Sequence, residues 1–165
     1  MSRLVLGIGN ILMGDDGVGV HVARALKADE NPPSLVVEDG GTGGISLIDL
    51  IEPFDEILVV DAANMEFSSL RVGGGFPGQV TEISPEMLCA RRAWSGHDHG
   101  LVDALKLLEI FPSKHVVRIL GVQPAAVAPS LRLSPELQAA FPAILTTVRE
   151  EAVRPCNMKG VTCHD

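Results

Sequence analysis

Leu4-Val5-Leu6-Gly7-Ile8 is a short apolar run that closes on Gly9-Asn10, the pattern of a strand buried on both faces. An amphipathic helix is predicted to follow over 17–28. Val18, Val22, Ala25 and Leu26 fall on one side of it, and His21, Arg24 and Lys27 on the other. Asp15 or Asp16 would sit at its N-cap. Two further apolar runs, 35–37 and 57–60, end in Glu38-Asp39-Gly40-Gly41 and in Asp61, so each of the first three strands is followed by acid.

The remaining segments keep the alternation. Residues 45–51 read as a short helix, 79–83 as an edge strand after the Gly73-Gly74-Gly75-Phe76-Pro77-Gly78 turn, and 116–122 as another buried strand. Leu101, Ala104, Leu105 and Leu108 have helical spacing over about 99–110. Ser134-Pro135 has the chemistry of an N-cap and first turn. Pro142 then falls inside the pattern Leu137, Phe141, Ile144, Leu145, Val148, which predicts a kink or break. The expectation is an α/β three-layer sandwich, with a twisted, mostly parallel sheet of about five strands and helices on both faces. It would form one domain over 1–155, with a peripheral tail over 156–165.

Composition narrows the function classes. The 165 residues suffice for one hydrophobic core, and 46% hydrophobic against 21% charged residues argues against disorder. With 13 basic and 21 acidic side chains the net charge is −8, unfavourable for nucleic acid or an anionic membrane. No run approaches the length of a membrane span, and the N-terminus does not read as a signal peptide; a cytoplasmic protein is expected. Cys89, Cys156 and Cys163 are an odd set in such a chain and give no disulfide framework. Cys156 and Cys163-His164 match no closed zinc pattern, and His21, His115 and His164 read as surface or chain-end residues.

Chemistry is expected beyond the carboxyl ends of the parallel strands. Residues 10–16, Asp39 and Asp61 should gather there. Gly7-Ile8-Gly9 begins like a dinucleotide fingerprint, but Leu12 stands where the third glycine belongs, and acids at the mouth would repel a pyrophosphate. Two adjacent aspartates exceed what a cap requires, which leaves Asp16 for the crevice if Asp15 caps. Asp39-Gly40-Gly41-Thr42-Gly43-Gly44 also reads as a plain flexible turn. In Ser95-Gly96-His97-Asp98-His99-Gly100 only one histidine would face a common centre. Two carboxylates and one neutral imidazole neutralise a divalent cation while leaving coordination positions open. Such a set selects metals loosely, so zinc or another divalent ion would compete for it in vitro.

Gly9-Asn10-Ile11-Leu12 with Asp15-Asp16-Gly17-Val18-Gly19, then Asp39-Gly40-Gly41-Thr42, Val60-Asp61-Ala62, and His97 with Gly100-Leu101 together resemble the hydrogenase maturation proteases. These endopeptidases remove a C-terminal extension from the large-subunit precursor of nickel-iron hydrogenases. The resemblance runs from Leu4 to about Val153. It implies a catalytic and metal-binding triad of Asp16, Asp61 and His97, with nickel carried in by the substrate. It also implies a substrate-recognition segment at Asp39, Gly40, Gly41 and Thr42. Some relatives have glutamate where Asp16 stands, so the carboxylate here reaches one methylene less far. The implied partner is the precursor, and the acidic surface suits a monomer. The alternative is a non-enzymatic nickel chaperone or scaffold using the same cleft.

Overall fold

The apolar runs form the strands that their periodicity predicts. The computed structural model describes residues 2–64, 75–83 and 115–154. In chain order these form β1 (Arg3–Ile8), a 3₁₀ turn (Asp15–Gly17), α1 (Val18–Lys27), β2 (Leu35–Gly41), α2 (Leu47–Ile51), β3 (Glu56–Ala62), β4 (Val80–Ile83), β5 (Val116–Val122) and α3 (Pro135–Val153). The sheet order is β2-β1-β3-β5-β4. All neighbouring pairs are parallel except β4, which lies antiparallel on the outer edge of β5, where a strand of four residues needs only one partner.

Alternation along the central strands divides the core between the two sheet faces. Val5, Leu58, Val60, Leu120 and Val122 pack with α1 and α3, through Val18, Val22, Leu26, Leu137, Ile144 and Val148. Leu4, Leu6, Ile8, Ile57, Val59 and Ile119 pack with Leu47 and Ile51 of α2 on the other face. Each fully buried Leu, Ile or Val contributes about 1.5–3 kcal/mol, so both layers hold the sheet. This is the expected α/β sandwich.

Three local departures have physical causes. The helix through Pro142 is unbroken, because Pro142 and Gln138 lie on its exposed side and water can take the carbonyl that loses its N–H partner. Ser134 caps that helix as predicted, its hydroxyl accepting the Leu137 N–H at 3.2 Å. β2 continues four residues past its apolar run, to Gly41, because it stays paired with β1 through Asp39↔Gly7 and Gly41↔Ile8. His21 and His115 are half-buried rather than on the surface; the Phe54 carbonyl lies 2.7 Å from His115 Nδ1.

Ion pairs close the sheet at the edge opposite the strand carboxyl ends. Arg118, with its side chain only 11% exposed, holds Glu82 through two bonds of 2.8 and 2.9 Å and also pairs with Glu151 near the end of α3. The two glutamates hold the Arg118 guanidinium firmly protonated, Glu82 the more strongly. Arg3 pairs with Glu56 at 2.6 Å and donates to the Val153 carbonyl at 3.0 Å. The helix end is thereby tied to the beginnings of three strands. Among the described residues no helix is long and apolar enough to cross a membrane.

Candidate functional site

The glycines after the first strand bring a helix against the sheet. A Cβ on Gly19 would lie 2.1 Å from the Val60 carbonyl oxygen and 2.4 Å from that of Ile8. A Cβ on Gly7 would lie 2.0 Å from the Gly19 carbonyl oxygen. Only hydrogen fits at either position. The Gly7 and Gly19 pair therefore seats the first turn of α1 directly on β1 and β3, and since a Cβ on Gly9 would lie 2.0 Å from the Asp16 carbonyl oxygen, packing accounts for the fingerprint-like Gly7-Ile8-Gly9 spacing.

That contact carries the two aspartates to the end of the sheet. Neither caps α1: its N-cap is Gly17, and Asp15 and Asp16 occupy the 3₁₀ turn before it. Asp15 is completely buried. Its Oδ2 accepts the N–H groups of Ala125 and Ala126, both at 2.9 Å, and its Oδ1 accepts the N–H of Ser134 at 2.7 Å. It therefore fixes the loop between β5 and α3, and bridges from Met13 to Ser130 and from Gly14 to Val127 stitch the same two segments together. Asp15 is a structural acid.

Asp16 is 5% exposed and Asp61 is 6% exposed. The 3₁₀ turn that carries Asp16 packs against β3, and Asp61 is the next-to-last residue of that strand. Asp16 Oδ2 accepts the Asn10 N–H at 3.0 Å, and Asp61 Oδ1 accepts the Ala62 N–H at 2.8 Å. Two sheltered carboxylates at one sheet edge need hydrogen bonds, a proton or a cation to offset their desolvation. The exposed apolar side chains of Leu12, Val127 and Leu131 stand on the loops around this turn.

Asp39 stands at the same edge, one strand further out. Its Oδ2 accepts Arg24 Nε–H at 2.8 Å and its Oδ1 accepts the Gly41 N–H at 2.9 Å. Gly41 has φ +52°, a conformation that glycine adopts without strain. With Thr42 and Asn10, Asp39 lines a groove of about 270 Å³. Of the segment read from sequence as a turn, Asp39, Gly40 and Gly41 are the end of β2, and a turn does follow, in which the Gly43 N–H donates to the Gly40 carbonyl at 3.0 Å. His97, the helix expected over 99–110, Gly73-Gly74, and Cys89, Cys156, Cys163 and His164 lie outside the described residues. Among the described residues no group of three or more His, Cys, Asp or Glu side chains is placed to hold a metal ion.

Sequence reasoning missed Arg24. On the polar side of a helix it looks like any solvated charge, and its only signal was an acid at the end of the neighbouring strand.

Known proteins resemble this chain in sequence and fold. The family model described as hydrogenase maturation protease matches residues 20–151. The Hydrogenase 2 maturation protease of Escherichia coli (strain K12) is 31% identical over 100% of both chains. A hydrogenase expression/formation protein HupD of Rhizobium leguminosarum bv. viciae is 45% identical over 73% of this chain and 58% of its own length. The solved structure of the hydrogenase-maturating endopeptidase HybD from E. coli superposes with a TM-score of 0.73 at 30% identity, covering 92% of this chain and 94% of that one. A sheet whose acids share one edge, a glycine-seated first helix and matches spanning nearly the whole chain lead to one conclusion: this chain belongs to the hydrogenase maturation protease family.

Proposed function

We propose that this peptidase removes the C-terminal extension from the nickel-loaded large-subunit precursor of a nickel-iron hydrogenase. In this reading Asp16, Asp61 and His97 complete the coordination of the substrate's nickel, and the Asp39-Gly40-Gly41-Thr42 segment grips the precursor. The observation that carries it is the sheltering of Asp16 and Asp61 at one sheet edge, with the turn of one packed against the strand of the other. Two carboxylates held there by neighbouring backbone N–H groups form a preorganised anionic surface. An incoming divalent ion would find its charge offset at once, while a precursor lacking the ion would bring the two carboxylates no compensating charge. Specificity then becomes a difference in electrostatic complementarity. A monomer working in the cytoplasm is part of the same proposal.

The test is mass spectrometry of nickel-loaded precursor after incubation with wild type, His97→Ala and Asp16→Asn. Wild type shortens the precursor at its C-terminus, and both variants leave it intact. Normal cleavage by both variants refutes the triad. Precursor of unchanged mass with nickel retained, after incubation with wild type, supports the chaperone alternative instead.

A further inference from the structure

Asp39 reaches the site through a continuous line of hydrogen bonds that begins on α1. Arg24 Nε–H donates to Asp39 Oδ2, and the Gly41 N–H donates to Asp39 Oδ1. The Gly41 carbonyl accepts the Gly9 N–H at 2.9 Å, and the next N–H along the chain, that of Asn10, donates to Asp16 Oδ2. The line crosses the point where the β1–β2 register shifts, between Gly7 and Ile8. A shift there would therefore move both the wall of the groove and the backbone that holds Asp16.

The energetics separate geometry from stability. The Arg24 side chain is 54% exposed, and an ion pair this exposed contributes little to folding. What the pair does fix is the rotamer of Asp39, and with it the left-handed turn at Gly41. Arg24 also lines the groove beside Asn10, Leu12 and Thr42.

We infer that Arg24 is a positioning residue for substrate recognition: by holding Asp39 it sets the shape of the groove wall formed by Asp39, Gly41 and Thr42 and thereby the affinity for the precursor. The inference rests on the proposed function, since it needs a precursor to bind. It assigns Arg24 to binding rather than to the chemical step, because the guanidinium acts on the groove wall and reaches Asp16 only through backbone groups.

Steady-state cleavage of nickel-loaded precursor by wild type, Arg24→Ala, Arg24→Lys, Asp39→Asn and the Arg24→Ala/Asp39→Asn double variant tests it. Arg24→Ala raises KM about tenfold, with kcat within about twofold of wild type. Its melting temperature stays within about 2 °C. Arg24→Lys recovers part of the loss, because an ammonium keeps the charge but cannot place a donor where the Arg24 Nε–H stands. The double variant is no worse than Asp39→Asn alone, which a purely long-range charge effect would not produce. An Arg24→Ala KM within twofold of wild type, or additive effects in the double variant, overturns the role of Arg24 while leaving the protease reading intact. Failure of wild type itself to shorten the precursor counts against that reading and takes this inference with it.

Discussion

Asp15→Asn separates two adjacent aspartates by what each one holds. The wild-type carboxylate takes three backbone N–H groups, two on Oδ2 and one on Oδ1. A carboxamide offers one acceptor atom, its oxygen, and an NH₂ group that can only donate. Turned so that its oxygen faces Ala125 and Ala126, it sets its NH₂ against the Ser134 N–H; turned the other way, it loses both alanine bonds. The better orientation still leaves one buried donor unsatisfied, at about 1–3 kcal/mol, and turns two charge-assisted bonds into neutral ones. The sum is about 2–4 kcal/mol, a large share of the roughly 5–15 kcal/mol by which a domain is stable. At about 2–4 °C per kcal/mol for a chain of this size, the midpoint should fall by roughly 5–15 °C. Scanning calorimetry of wild type, Asp15→Asn and Asp16→Asn measures it. Asp16→Asn keeps an amide oxygen that can accept the Asn10 N–H, yet it should abolish cleavage. An Asp15→Asn midpoint within 2 °C of wild type would refute the assignment of Asp15 as the acid that fixes the loop between β5 and α3.

Further consequences follow from the packing and the ion pairs. Gly19→Ala forces a methyl group into the Val60 and Ile8 carbonyls and should cost about 3 kcal/mol in urea unfolding; a loss under about 1 kcal/mol would mean the helix can lift off the sheet freely. Arg118→Ala strips Glu82 of its cation and leaves Glu151 with only the exposed Arg154, and should lower stability by about 1–2 kcal/mol by the same measurement. The hydrogen bond from Arg118 also holds the Glu82 carboxyl below its ordinary 4.5. Its stabilisation is therefore complete above that value and is lost as pH falls through the folded value, and Glu82→Gln should flatten this acid limb. Burial, then the nearby Arg24, depress His21 below 6.5, against the opposing pull of Asp39. Protonation consequently favours the unfolded chain, and stability should decline as pH drops from 6.5 toward the folded value. His21→Asn should remove that slope from a melting-temperature profile.

Much of this molecule was legible because its strands are short, apolar and separated by clear helical periodicity. β1, β3 and β5 and the amphipathic α1 follow from spacing alone, and Ser134-Pro135 announces α3. The acids at strand ends were legible too, because a parallel sheet sends every strand's carboxyl end to one edge. What stayed hidden depends on partners distant in sequence. The bonds of Asp15 to Ala125, Ala126 and Ser134 cannot be read from a local pattern, so a capping role was the natural expectation. The extension of β2 to Gly41 is dictated by its neighbour β1 rather than by its own hydrophobicity. Of the kink or break expected at Pro142, the break does not occur, because periodicity does not reveal that the orphaned carbonyl faces water. Arg24 and Asp39 meet only because Gly7 and Gly19 allow α1 to lie so close to the sheet.

Cleavage of one precursor preparation, split into nickel-loaded and nickel-free halves and incubated with the wild-type protein, tests most directly whether Asp16, Asp61 and His97 read the substrate's metal. The loaded half should lose its C-terminal extension while the nickel-free half stays full length. Equal shortening of both halves would contradict recognition through the metal, whatever the fold.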